Sequence, residues 1–143
     1  TDSMIYITSK NEPRPFQCGD KLGDMTNELE TGEYIEEFVS GGPKNYAYKI
    51  ARPNGESSTV CKVRGITLNY TTSQIVNLET IRDMILQREA RIVVVHTNRK
   101  IKRKKTFDGP LVLSEPENKR YAITFYKRRQ LDNNDSLPFG FVE

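Results

Sequence analysis

Alternating apolar and polar positions predict several short β-strands in this chain, the first of them at its N-terminal end. Residues 3–7 are apolar and β-prone, which predicts a strand that begins within three residues of the first position. Residues 10–33 are rich in Gly, Pro, Asn and acidic side chains, which predicts a loop with a short helical turn. A chain that opens in the middle of a strand indicates truncation of a longer protein.

A hairpin is predicted next, where two strand-like segments flank a pair of glycines. Residues 34–39 and 45–50 are the segments, and the Gly-Gly-Pro run at 41–43 predicts a glycine bulge or a turn between them. A Pro-Asn-Gly turn at 53–55 leads into another predicted strand at residues 58–63. The aromatic side chains expected to fill the apolar face of this sheet are Tyr6, Phe38 and Tyr48.

One helix is predicted at residues 77–87, where apolar positions repeat with helical spacing and Asn77 is a suitable N-cap. The apolar face of this helix is predicted to contain Leu78, Ile81, Ile85 and Leu86. A β-branched run at 92–95 predicts a buried strand, and residues 121–126 predict the last strand. The fold class that follows is α+β, with an antiparallel sheet and few helices.

The composition is ordinary for a soluble globular protein. Of the 143 residues, 36% are hydrophobic and 29% are charged. No apolar run reaches the roughly 20 residues of a membrane helix, so we expect no membrane partner. Cys18, Cys61 and His96 are the only Cys and His residues, too few for a structural zinc site. We expect an intracellular protein with reduced thiols, in which Cys61 belongs to the core.

Charge changes sign along the chain. Residues 1–40 carry three basic and nine acidic side chains, whereas residues 88–143 carry thirteen and seven. This layout suits metal binding at one end and phosphate binding at the other, although two solvated faces are the simpler explanation on charge alone.

A basic run at residues 99–105 contains six Lys or Arg side chains in seven positions. Three interpretations stay open: a track that contacts DNA phosphates, a nuclear import signal that would place the protein in the nucleus, and a solvated loop. Lys127 and Arg128, at the end of the predicted last strand, are a second candidate contact to phosphates.

Two pairs of side chains have the spacing of residues that share a face of a strand. Lys44 and Tyr46 are two positions apart, so a cation and a phenol would point the same way, one towards a phosphate and the other towards a sugar. Lys62 and Arg64 have the same spacing and would extend this contact. An exposed strand with solvated cations is the alternative for both pairs.

Asp2 stands between Thr1 and Ser3, immediately before the first predicted strand. A carboxylate with small neighbours at the edge of an antiparallel sheet is suited to hold Mg²⁺ against a triphosphate, because Mg²⁺ prefers oxygen ligands. A turn aspartate has the same local sequence.

The order of these motifs resembles the palm of family B DNA polymerases. Members of that family carry an Asp-Thr-Asp-Ser motif, and residues 1–3 resemble its last three positions. A Lys-x-Tyr element that holds the primer strand follows in the family, and it is matched by Lys44 and Tyr46. The local sequences around these motifs, at residues 22–26, 38–40 and 137–140, are most similar to those of protein-primed polymerases of Maverick/Polinton-type transposons and related viruses.

The resemblance implies a two-metal nucleotidyl transferase that acts on primer-template DNA and deoxynucleoside triphosphates, together with a terminal priming protein. Residues 1–66 would be the last part of the palm and residues 67–143 the thumb. Asp2 would bind catalytic Mg²⁺. The residues expected to contact DNA are Lys44, Tyr46, Lys62, Arg64, Lys127 and Arg128.

Other functional parts of the family lie upstream of the matched motifs, including a second metal-binding aspartate. Because one carboxylate cannot hold two Mg²⁺ ions, we expect this chain alone to extend no primer when it is assayed with Mg²⁺. The rival interpretation is a non-catalytic nucleic-acid-binding module, in which Asp2 is dispensable and Lys44 is one interchangeable cation among many.

Overall fold

The chain has an α+β fold in which antiparallel strands predominate, as predicted. The computed structural model describes residues 3–9, 12–13, 15–87, 93–125, 128–133, 135–138 and 140. It divides into two compact units, Thr1–Glu33 and Tyr34–Glu143. All pairings between named strands are antiparallel in these described ranges.

The first unit contains turns and irregular chain. An isolated bridge joins Cys18 and Met25, and the rings of Tyr6 and Phe16 meet edge to face at 5.9 Å between centroids. The predicted strand at residues 3–7 is wrong, and the short helical turn is not present among the described residues of this unit. Ile7 is 99% exposed, and no strand in the described ranges pairs with this segment. A β-prone run without a partner strand is not stable as a strand by itself.

The second unit opens with a three-stranded sheet in the order β1–β2–β3. These strands are β1 (Tyr34–Gly42), β2 (Asn45–Ala51) and β3 (Ser57–Lys62). The predicted hairpin with a glycine irregularity is confirmed, since the register shifts between Ser40 and Gly42. The turn at 53–55 and the third strand are confirmed as well.

Two short helices follow, α1 (Tyr70–Ser73) and α2 (Leu78–Leu86). Asn77 caps α2 as predicted, because its Oδ1 accepts a hydrogen bond of 2.9 Å from the Thr80 N–H. The buried side chains of α2 are Leu78, Ile81 and Met84. The prediction that Leu86 shares this face is wrong. At 100° per residue it lies about 140° around the helix from Ile81, and it is 59% exposed.

A long two-stranded ribbon consists of β4 (Val93–Thr106) and β5 (Gly109–Tyr121). The basic run at 99–105 therefore lies in a strand, and its interpretation as a loop is wrong. The predicted last strand at 121–126 is also wrong, because Tyr121 ends β5 and residues 122–125 form no strand. The pairing is interrupted opposite Pro116, which has no N–H to donate.

A small hairpin of β6 (Arg128–Gln130) and β7 (Ser136–Pro138) completes the described chain. The core of the second unit lies between the three-stranded sheet, α2 and the base of the ribbon. Its buried apolar members are Ala47, Ile66, Val76, Leu78, Ile81, Met84, Val95 and Tyr121. The predicted palm–thumb division at residues 66–67 falls inside this unit and stays a prediction.

The register assigns each sheet position to one of two faces. Val39, Ala47 and Cys61 stand opposite one another and contribute to the core beneath α2, as predicted for Cys61. Burial raises the pKa of the Cys61 thiol. Phe38 and Tyr48 pair on the other face, and Phe38 is 44% exposed, so the prediction that these rings fill the apolar face of the sheet is wrong. Tyr6, the third ring of that prediction, lies in the first unit and is 40% exposed.

Candidate nucleic-acid interface

The turn between β1 and β2 presents Lys44 at its tip. Lys44 has φ of 56°, a left-handed conformation that non-glycine residues adopt mainly in turns, and its side chain is exposed. Tyr46 lies two residues later, inside β2. The prediction that Lys44 and Tyr46 share one face of a strand is therefore wrong in its geometry, because the strand begins only at Asn45.

Two glycines allow the turn to dock against the chain that follows the ribbon. Gly42 has φ of 120°, and a Cβ atom placed on it would lie 2.0 Å from the carbonyl oxygen of Thr124. The Thr124 N–H donates a hydrogen bond of 3.0 Å to the Gly41 carbonyl. Only glycine at position 42 permits this approach of two backbones.

A buried polar network secures the same contact. The Tyr121 hydroxyl donates to Asn45 Oδ1 at 3.1 Å, and Asn45 Nδ2 donates to the Gly41 carbonyl at 3.1 Å. Both side chains are buried, so each of these hydrogen bonds satisfies a group that would be costly to leave unpaired. The network holds the Lys44 turn against the end of β5.

Burial of the Tyr121 phenol should make the stability of the fold depend on alkaline pH. Desolvation raises the pKa of Tyr121 to about 12, although the hydrogen bond with Asn45 opposes the shift. An unfolded tyrosine ionises near pH 10, so unfolding becomes easier as pH rises from about 10 to about 12, and this contribution is constant below pH 10.

Ultraviolet titration of phenolate absorbance checks this expectation. We expect a late phenolate step that accompanies unfolding and comes from Tyr121. The Tyr121→Phe variant should lack that late step. Equal late amplitudes in wild type and Tyr121→Phe would contradict the burial argument.

A cleft of about 280 Å³ lies beside the turn. It is lined by Gly41, Gly42, Pro43, Asn45, Val63, Arg64, Ile66, Arg120, Tyr121, Ala122 and Thr124. Arg64 lies in a turn after β3, so the prediction that it shares a strand face with Lys62 is wrong. Arg120, at the end of β5, was not identified from the sequence because nothing local connects it with Arg64, 56 positions earlier.

Four cations around this cleft have no acidic partner among the described residues. Lys44, Lys62, Arg64 and Arg120 form no ion pair with a carboxylate in the part of the chain that the structure describes. Arg64 and Arg120 line the cleft, and Lys44 follows its lining residue Pro43. An anion that entered this cleft would therefore meet uncompensated positive charge.

The ribbon is neutralised in its middle and basic towards its tip. Glu115 and Glu117 accept ion pairs of 3.3 Å from Lys102 and 3.6 Å from Lys100. A hydrogen bond from Lys119 lowers the pKa of Glu117, so this carboxylate stays ionised. Towards the turn at 107–108, the side chains of Arg103, Lys104 and Lys105 have no carboxylate partner among the described residues.

Arg128, part of the second predicted phosphate contact, is hydrogen-bonded within its own hairpin. Arg128 donates from Nε to the Ser136 hydroxyl at 2.7 Å and from a terminal nitrogen to the Ser136 carbonyl at 2.8 Å. These bonds tie β6 to β7 and use part of the guanidinium that was predicted to bind DNA. Lys127 lies outside the described residues.

Asp2, the predicted magnesium ligand, also lies outside the described residues. Within them, no group of three or more His, Cys, Asp or Glu side chains could hold a metal ion. The two described helices have four and nine residues, and neither is long and apolar enough to cross a membrane.

Comparison with known proteins found no match: no protein-family model, no curated protein and no solved structure is similar to this chain.

Proposed function

We propose that this chain is the primer-holding part of a DNA-directed DNA polymerase of family B, of the protein-primed kind. The observation that supports this best is the group of cations beside the β1–β2 turn. Lys44 is at the turn, and Arg64 and Arg120 line the adjoining cleft, so phosphates of a primer strand would meet several positive charges at once. Such contacts position DNA without reading its sequence.

The buried network gives this surface a defined geometry. The turn is held by the Tyr121–Asn45–Gly41 bonds and by the glycine contact with Thr124, so Lys44 is presented from a fixed backbone. Tyr46 stands beside it on β2, close enough in sequence to contact the same strand of DNA. A polymerase needs this rigidity because the primer end must be held in line with the incoming nucleotide.

The ribbon would supply a second contact to duplex product, in the role of the thumb. Arg103, Lys104 and Lys105 lie on successive positions of β4, so they point alternately to its two faces. Each phosphate that such cations neutralise lowers the log–log salt slope of binding by about 0.9. Lys62, at the end of β3, extends the basic surface beside Tyr46, which it faces across the sheet.

In this proposal Asp2 binds catalytic Mg²⁺, which neutralises the charge of the deoxynucleoside triphosphate when it is bound. The partners are primer-template DNA, deoxynucleoside triphosphates and a terminal priming protein, inside the cell.

A non-catalytic nucleic-acid-binding module is the second candidate. It is favoured by one observation: the described surface offers phosphate contacts and no group that transfers a nucleotide. The two candidates differ in what they require of Lys44. A polymerase uses it at the primer end, whereas a general binder uses it like any other exposed cation.

Binding of two DNA substrates by the Lys44→Gln variant separates the candidates. We expect wild type to prefer a duplex with a recessed 3′ end over a blunt duplex of equal length. Lys44→Gln should lower affinity for the recessed end about tenfold or more, the scale of one charged hydrogen bond, and affinity for the blunt duplex less than about twofold. Fluorescence anisotropy at several salt concentrations measures both.

Lys21→Gln is the matched control, since Lys21 is an exposed lysine in the first unit with no ion pair among the described side chains. Equal losses on both substrates, or equal losses from Lys44→Gln and Lys21→Gln, would favour the general binder over the polymerase.

A further inference from the structure

The face of the three-stranded sheet that points away from α2 carries an aromatic surface. The helix side is identified by Ala47 and Cys61, which pack with the core, and by the ion pair of 3.3 Å between Arg82 of α2 and Glu37. Alternation and register then assign the opposite face, which we call the outer face. Its positions beyond the register shift at Ile35–Glu37 include Phe38, Ser40, Tyr46, Tyr48, Ile50, Ser58, Val60 and Lys62.

Three rings on this outer face lie side by side. Phe38 and Tyr46 have centroids 5.9 Å apart, and Tyr46 and Tyr48 have centroids 6.3 Å apart with only 12° between their planes. Phe38 pairs directly with Tyr48 across β1 and β2. The rings are therefore held by two paired strands rather than by a mobile loop, and they are partly exposed.

A cation stands beside the rings, since Lys62 pairs with Tyr46 across β2 and β3. Glu36, two positions before Phe38 on β1, is paired with Lys49 at 2.8 Å, so its charge is compensated. Lys62 is exposed and forms no ion pair among the residues that the structure describes. The surface thus combines flat apolar rings with uncompensated positive charge.

We propose that this outer face binds single-stranded nucleic acid by stacking unpaired bases on Phe38, Tyr46 and Tyr48, while Lys62 contacts the phosphate backbone. Every base has a π-face, so stacking on aromatic rings tolerates any sequence, and an adjacent basic groove attracts the strand. In a duplex the bases are already stacked on one another, so the rings select unpaired strands. This site shares Tyr46 and Lys62 with the proposed function and goes beyond it, because holding a primer end requires no stacking of unpaired bases.

The proposal is tested with labelled oligothymidylate and an abasic oligonucleotide of equal length, which carries the same charge without bases. Fluorescence anisotropy should show that wild type binds oligothymidylate about tenfold more tightly than the abasic strand, the scale of one stacked base. The Phe38→Leu/Tyr48→Leu double variant should lose most of this preference, because only the Tyr46 ring remains. Its affinity for the abasic strand should match that of wild type.

Matched variants separate loss of the rings from loss of the fold. Tyr70 is 85% exposed on α1, and Tyr70→Leu should keep the tenfold preference for bases. The Phe38→Tyr/Tyr48→Phe variant keeps all rings and should keep it as well. Circular dichroism of each variant should match that of wild type.

Three results would overturn the proposal. The first is a wild type without preference for bases, and the second is a double variant that retains the preference. The third is concentration-dependent self-association of wild type, measured by sedimentation, that the double variant abolishes, because the outer face would then be an interface between copies. The Lys44 experiment uses a recessed primer end and not an abasic strand, so either proposal can fail while the other stands.

Discussion

Replacing Gly42 with alanine should lower the free energy of unfolding by about 3 kcal/mol or more. Two costs add. A side chain at φ of 120° is strained, at about 1–3 kcal/mol, and overpacking a tight contact costs about as much again. The obstacle is the carbonyl oxygen of Thr124, a backbone atom 2.0 Å from the new Cβ, which cannot rotate away as a side chain would. Chemical denaturation measures the change.

Gly55→Ala is the control that isolates the steric cost. Gly55 also has a positive φ, of 84°, but a Cβ atom there would meet nothing within 4 Å. We expect this variant to be destabilised only by backbone strain, which lowers its free energy of unfolding by about 1–2 kcal/mol. If the two variants were equally destabilised, the close approach of the 41–42 turn to Thr124 would not exist in solution.

Ile81→Ala should destabilise the chain by about 2–5 kcal/mol, the usual range for truncating a buried aliphatic side chain. Ile81 is fully buried in the centre of the core, between Leu78 and Met84 on the inner face of α2. The loss combines the missing hydrophobic transfer with the cavity that the rigid neighbours cannot fill.

Leu86→Ala provides the comparison on the same helix. Leu86 is 59% exposed, so its truncation should change the free energy of unfolding by less than about 0.5 kcal/mol. Leu86 was predicted to share the face of Ile81, so this pair of variants distinguishes the predicted arrangement from the observed one. A large decrease in the free energy of unfolding of Leu86→Ala would show that Leu86 is buried on the same face as Ile81, as the sequence pattern predicted.

The elements that were predicted correctly depend on neighbouring residues. The β1–β2 hairpin follows from two strand-like segments around a glycine pair, and α2 follows from an N-cap before a periodic apolar run. In both cases the residues that carry the signal lie within the element or next to it. Local propensity and capping are therefore sufficient to predict these two elements.

Features that depend on distant partners were missed. Residues 3–7 have the composition of a strand, but whether they form one is decided by a partner that local sequence does not specify. The basic run at 99–105 looks like a loop until β5 pairs with it and supplies Leu111, Val112 and Leu113 across the ribbon. Arg120 reaches the cleft only through the pairing of β5.

The geometry of the candidate site differs from the prediction, and its chemistry stays a prediction. Lys44, Tyr46, Lys62 and Arg64 were all chosen from spacing, yet only Tyr46 and Lys62 lie in strands, and they face each other across β2 and β3. A left-handed residue at Lys44 cannot be foreseen from strand alternation, since asparagine or glycine is the usual occupant of such a position.

The hydrogen bond between Tyr121 and Asn45 joins residues 76 positions apart. A ribosome must therefore synthesise the whole ribbon before the early hairpin can acquire its final support, and the entropy of closing that large loop is lost late in folding. Nascent chains that end before Tyr121 should carry a β1–β2 turn that protects its amides poorly from exchange with solvent.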